Sequence, residues 1–181
     1  MCDSNFRSLP AAAGTSRSRN QKVGAVMSSV TVLVVEDFAP FRQFICSTLK
    51  RRPEFQVIGE VSDGFEAIRK AEELQPNLIL LDIGLPKLNG IEAARRIHEL
   101  CPNSKLLFIS QESDSDVVQE ALSLGALGYV VKTRVGDDFW PALEAVRRGG
   151  HFVSSGLLDD HFAGAMDPRT PNRLSQHAAD D

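Results

Sequence analysis

The chain has 181 residues, 43% of them hydrophobic, and a formal net charge of −4, enough for one domain with a core plus tails. The acidic balance disfavours nucleic acid as a default partner. Cys2, Cys46 and Cys101 form no CxxC pair, which speaks against a disulfide framework or a zinc site and suits a reducing cytosol.

Charge is unevenly spread. Residues 1–29 hold four basic side chains against one acidic, and residues 151–181 hold two basic against five acidic. No apolar stretch approaches membrane-spanning length, and the N-terminus lacks an apolar signal core. A cytoplasmic protein with no membrane partner is expected.

Residues 1–28 are rich in Ser, Ala, Arg and Gly without a period, and are expected to be a disordered extension, with Met27 an alternative start. From residue 31 to 148 strand and helix patterns alternate five times. The expected strands are Thr31–Val35, Phe55–Val61, Leu78–Leu81, Lys105–Ile109 and Gly128–Val131. Between them lie helical faces: Phe41, Phe44, Ile45, Leu49; Ala67, Ile68, Ala71, Leu74; Ala94, Ile97, Cys101; Val118, Ala121, Leu122, Gly125; and Phe139, Ala142, Leu143, Val146. Pro40 suits a helix start and Gly149-Gly150 a stop, and Trp140-Pro141 reads as the beginning of the last helix. Repeated βα units predict right-handed crossovers and a three-layer α/β domain over residues 29–150. Residues 151–181 are expected to hold a short helix around Phe152-Val153 and Leu157-Leu158, followed by a disordered acidic tail.

Four of the apolar runs stop on polar residues. Val32–Val35 ends on Glu36-Asp37, Leu78–Leu81 on Asp82, Leu106–Ile109 on Ser110, and Tyr129–Val131 on Lys132. Continuous apolar runs suit strands buried on both faces of a parallel sheet, whose ligands sit beyond the carboxyl ends of the strands. Three carboxylates, a hydroxyl and an ammonium are thus expected at one sheet edge, a set that suits a divalent cation plus a phosphoryl group.

These segments, with Ile83-Gly84-Leu85-Pro86, Asn89-Gly90 and Gly125–Lys132, resemble the receiver domain of two-component response regulators over roughly residues 30–150. The Gly149–Ser154 segment is further similar to the end of a NarL/FixJ-type receiver. The resemblance implies a flavodoxin-like (βα)5 fold with a parallel five-stranded sheet in the order 2-1-3-4-5. It implies that Asp82 accepts a phosphoryl group as an aspartyl phosphate. Glu36, Asp37, Asp82 and the backbone carbonyl of Gly84 would hold Mg²⁺. Lys132 would contact the phosphoryl oxygens, and Ser110 and Tyr129 would form the switch. Pro86 and Gly90 read as shaping the loop after Asp82. The domain would assist its own phosphorylation and dephosphorylation without being a turnover enzyme. The implied donor is a sensor histidine kinase or phosphotransfer protein, and the output a protein contact or a homodimer formed on phosphorylation.

Two residues depart from the family pattern: Gln111 after Ser110, and Thr133 after Lys132, where a cis peptide bond is not assured. The residues after Gly150 are too few and too acidic for a helix-turn-helix domain, so no DNA binding is expected. A NarL/FixJ-type regulator cut short is the alternative. An aspartate-based phosphatase would want a second Asp where Gly84 stands, and a flavin module would want amides and hydroxyls where the loops carry acids.

Overall fold

The computed structural model describes residues 29–157. The chain runs β1 (Val30–Val35), α1 (Ala39–Leu49), β2 (Phe55–Val61), α2 (Gly64–Leu74), β3 (Leu78–Leu81), α3 (Gly90–Leu100), β4 (Lys105–Ser110), α4 (Ser115–Ser123) and β5 (Gly128–Val131). A 3₁₀ turn at Lys132–Arg134 leads into α5 (Val135–Arg147), and β6 (Phe152–Val153) follows. The sheet order is β2-β1-β3-β4-β5-β6, and every neighbouring pair is parallel.

The apolar runs are continuous because both sheet faces are covered. Successive strand residues point to opposite faces. Leu33, Val35, Ile79, Leu81, Phe108 and Tyr129 join the core under α2, α3 and α4. Val32, Val34, Leu80, Leu107, Ile109 and Val130 join the core under α1 and α5. Each large apolar side chain buried this way contributes about 1.5–3 kcal/mol.

Side chains cap three of the helices. Asp63, Asn89 and Asp114 stand at the N-caps of α2, α3 and α4 and accept the amides of Glu66, Glu92 and Asp116. At the far end of α5, Gly149 takes φ +78, and Gly150 donates its amide to the Ala145 carbonyl.

The expected strand order holds for five strands, but the sheet has six. The predicted helix around Phe152 is instead β6, which pairs with Gly128 and Tyr129 of β5. The fold therefore continues past residue 150: Ser154 is 1% exposed and Leu157 is buried in the core. Leu158, the rest of the expected 151–181 segment with its acidic tail, and the expected extension 1–28 lie outside the described residues.

Two helix expectations need correction. Pro141 lies inside α5, not at its start. Trp140 faces Phe139 and Phe55, with Arg52 over its ring at 4.1 Å, so it belongs to the α1–α5 side. Phe44 is 44% exposed and does not share the buried face of Ile45 and Leu49. Burial pushes the Cys46 thiol up to about 11, which suits an unreactive core residue. No helix among the described residues is long and apolar enough to cross a membrane.

Candidate functional site

Strand register brings the polar run-ends together. Val35 of β1 lies beside Leu81 of β3, Leu81 beside Phe108 of β4, and Ser110 beside Val131 of β5. The Asp82 amide donates to the Val35 carbonyl at 3.0 Å, and the Glu36 amide donates to the Val61 carbonyl at 3.1 Å. These bonds seat the two acids side by side at the carboxyl edge of the sheet.

Carboxylate oxygens of Glu36, Asp37 and Asp82 lie within 4.8 Å of one another. Glu36 and Asp82 are buried, and Asp37 is exposed. Lys132 reaches in from the exit of β5. Its Nζ donates to Asp82 Oδ2 at 2.7 Å and lies 2.9 and 2.8 Å from the two Glu36 oxygens. Its side chain is only 11% exposed, so the ion pairs are partly desolvated.

One ammonium therefore serves two buried carboxylates. Burial would lower the Lys132 pKa, yet bonds to Asp82 and Glu36 outweigh it and raise it. Burial raises the Glu36 pKa, the Lys132 bond opposes this, and the Asp82 charge adds to the rise. Both values rise, with opposite effects on charge: the rise favours the ammonium of Lys132, which gains two anions, and disfavours the carboxylate of Glu36, which is buried and has a like-charged neighbour. The site carries surplus negative charge.

A hard divalent cation fits that surplus. Among the described residues, the Asp37 carboxylate and Asp82 Oδ1 accept no hydrogen bond or ion pair, and no buried side-chain oxygen lacks a partner. Asp82 Oδ1 is thus open to solvent although its residue is buried. Few carboxylates, room for water and an open acceptor oxygen are what magnesium prefers. A Cβ added at Gly84 would lie 3.8 Å from Asp82 Oδ2, so that stretch of backbone borders the same carboxylate.

The loop between Asp82 and α3 is held by its glycine. A Cβ at Gly90 would come within 2.0 Å of the Asp82 carbonyl, and the Gly90 amide donates to the Ile83 carbonyl at 2.9 Å. Gly90 thus shapes the loop, as expected, and Asn89 before it is the cap of α3.

Ser110 and Tyr129 meet through a residue the sequence did not flag. The Glu112 amide donates to Ser110 Oγ at 3.3 Å, and the Tyr129 hydroxyl donates to the Glu112 carbonyl at 3.0 Å. Tyr129 is fully buried, and burial pushes its phenol up to about 12, so it remains a neutral donor. Gln111 is exposed. No cis peptide bond occurs among the described residues, the Lys132–Thr133 bond included.

Two more side chains on α1 touch the site. Arg42 Nη1 donates to the Glu36 and Asp37 carbonyls at 2.6 and 3.4 Å. The Phe41 ring lies beside Lys132. In sequence, Phe41 looks like one more apolar helix position, and Arg42 like a solvated base.

The family model described as the response regulator receiver domain matches residues 32–143. Transcriptional regulatory protein DegU of Brevibacillus brevis is 32% identical over 126 residues, 70% of this chain and 53% of that protein. Nitrate/nitrite response regulator protein NarL of Escherichia coli (strain K12) is 32% identical over 127 residues, 70% of this chain and 59% of that protein. The chain thus spans about half the length of the curated relatives it matches. Among solved structures, a LuxR-family two-component response regulator from Aurantimonas sp. SI85-9A1 is similar with a TM-score of 0.68 and 29% identity, covering 72% of this chain and 93% of that one. The response regulator domain of Thermotoga maritima CheB is similar with a TM-score of 0.61 and 32% identity, covering 66% and 95%.

Proposed function

The chain belongs to the response regulator receiver domain family, and on that premise we propose that it is a phosphorylation switch whose acceptor is Asp82. One observation carries the assignment. Asp82 presents one oxygen to Lys132 at 2.7 Å and keeps the other without a partner among the described residues, beside two more carboxylates.

In the proposed step Asp82 Oδ1 attacks the phosphorus of a phosphohistidine donor. An O–P bond forms, the N–P bond breaks, and the electron pair leaves with the imidazole. The nucleophile is the carboxylate itself, so no base is needed. Mg²⁺ held by Asp37, Asp82, Glu36 and the Gly84 carbonyl would supply charge neutralisation for the transferring group. Lys132 then exchanges part of its hold on Asp82 for a phosphoryl oxygen. Loss of the group to water at the same site would be assisted by the same residues, which makes the domain a phosphoacceptor and not a turnover enzyme.

The switch route runs through Glu112. Turning the Ser110 hydroxyl toward a phosphoryl oxygen gives up the bond from the Glu112 amide. The same residue's carbonyl holds the Tyr129 hydroxyl, so the β4–α4 loop and Tyr129 move together. The donor is a sensor histidine kinase or phosphotransfer protein, the location the cytoplasm, and the output a protein contact that includes self-association. The acidic balance of the chain supports a protein partner over DNA.

Mg²⁺-dependent labelling by a small phosphodonor tests the assignment. Wild type should take one phosphoryl group per chain and Asp82→Asn none. Equal labelling of both would move the acceptor elsewhere. A second reading, the receiver part of a NarL/FixJ-type transcriptional regulator, is favoured by relatives named as transcriptional or response regulators, of which the matched stretch covers 53% and 59%.

A further inference from the structure

Lys132 has a neighbour that the phosphoryl chemistry above does not use. Phe41 sits in the first turn of α1, and its ring centroid is 4.9 Å from Lys132 Nζ. A ring face attracts a cation within about 6 Å, and more strongly where water is excluded. Water is largely excluded here, since the lysine side chain is 11% exposed.

The ring is itself held. Phe41 stacks on Phe44 with centroids 5.8 Å apart and planes 25° from parallel, and it packs against the α1–α5 core. Lysine carries a point charge on a flexible four-carbon stem, so its two carboxylate partners alone leave it several ways to reach them. A fixed aromatic wall beside the ammonium reduces that freedom.

We propose that Phe41 is a positioning residue that holds the Lys132 ammonium between Glu36 and Asp82, where it meets an incoming phosphoryl group. This rests on the receiver chemistry proposed above. The competing view makes Phe41 an ordinary core filler. The two differ over which property of the side chain counts. A filler needs apolar volume, whereas a positioning ring needs a π face.

Phe41→Leu keeps apolar volume without the ring, and Phe41→Tyr keeps the ring. Two readings on the full chain separate the views. The first is the NMR shift of the Lys132 ε-methylene protons, which a nearby ring face moves upfield. The second is the rate of Mg²⁺-dependent labelling by a small phosphodonor. Phe41→Leu should lose the upfield shift and label about three- to tenfold more slowly, the range a partly desolvated cation–π contact supports. Phe41→Tyr should keep both. If Phe41→Leu does not fold, Phe41→Met, flexible and apolar, is read the same way with the same expected losses. Labelling at the wild-type rate without the ring overturns the proposal, as does an equal slowing in Phe41→Tyr. Wild type that takes no label sinks the receiver chemistry, and the proton shift then still decides the positioning: an upfield shift that survives in Phe41→Leu overturns it.

Discussion

The Lys132 ammonium lies 2.7 Å from Asp82 Oδ2, although 50 positions separate the two residues in sequence. The same ammonium also satisfies Glu36. Removing it leaves two buried carboxylates facing each other. Breaking a buried pair from one side costs up to about 3–5 kcal/mol, less what protonating Glu36 recovers. Lys132→Met should therefore be destabilised in chelator, and Mg²⁺ should restore more stability to it than it adds to wild type. Urea unfolding with and without Mg²⁺ checks this. Equal Mg²⁺ increments in the two proteins would mean that lysine and metal do not neutralise the same charge.

Asp37 is the exposed member of the acidic cluster. Its carboxylate makes no protein bond among the described residues, so replacing it breaks no side-chain contact there. Asp37→Asn removes a charge and weakens a hard oxygen donor. Calorimetric titration should show Mg²⁺ affinity falling by roughly tenfold or more, with the melting temperature in chelator near that of wild type. An unchanged titration curve would take Asp37 out of the metal site.

Gly90 has no room for a side chain. A Cβ would sit 2.0 Å from the Asp82 carbonyl and 2.8 Å from Ile83 Cα, both backbone atoms with no rotamer to give way. Gly90→Ala should cost about 1–3 kcal/mol or more and displace the loop that carries Asp82. Slower phosphoryl labelling together with a lower urea midpoint is the expected pair of results. A normal midpoint would mean that the loop relaxes freely.

Much of this was legible because the strands are buried on both faces. Val32–Val35, Leu78–Leu81 and Leu106–Ile109 are unbroken apolar runs, and the first polar residue after each falls at the same sheet edge. Glu36, Asp82 and Ser110 are therefore legible in the sequence as neighbours at that edge, and Lys132 joins them after Tyr129–Val131. What stayed hidden depends on contacts with no sequence period. A two-residue strand such as Phe152–Val153 is too short to show alternation, and it forms because β5 offers an open edge. Pro141 reads as a helix start, yet α5 carries it within its span. Phe41 and Arg42 owe their places to the turn after Asp37, and Glu112 acts through its backbone, where side-chain identity carries no signal.

Asp138 is buried on α5. Its Oδ2 accepts the Ser154 hydroxyl and, at 3.0 Å, Arg134 Nε. Burial would raise its pKa, but the bonds from Ser154 and Arg134 outweigh burial and hold the carboxyl below its ordinary 3.8. The folded state thus releases the proton more readily than the unfolded one. The resulting stability is present above pH 3.8 and is lost as pH falls through the folded value. Asp138→Asn keeps the shape and removes the charge. The stability gap between wild type and this variant should be widest near neutral pH and should close below pH 3.8. Urea unfolding across the acid range measures it, and a gap independent of pH would assign the effect to bond geometry instead of charge. Ser154 Oγ also accepts the Val131 amide at 3.2 Å, one residue before Lys132. Protonating Asp138 should therefore loosen the strand exit that carries Lys132, and faster amide exchange at Val131 in Asp138→Asn is the accompanying sign.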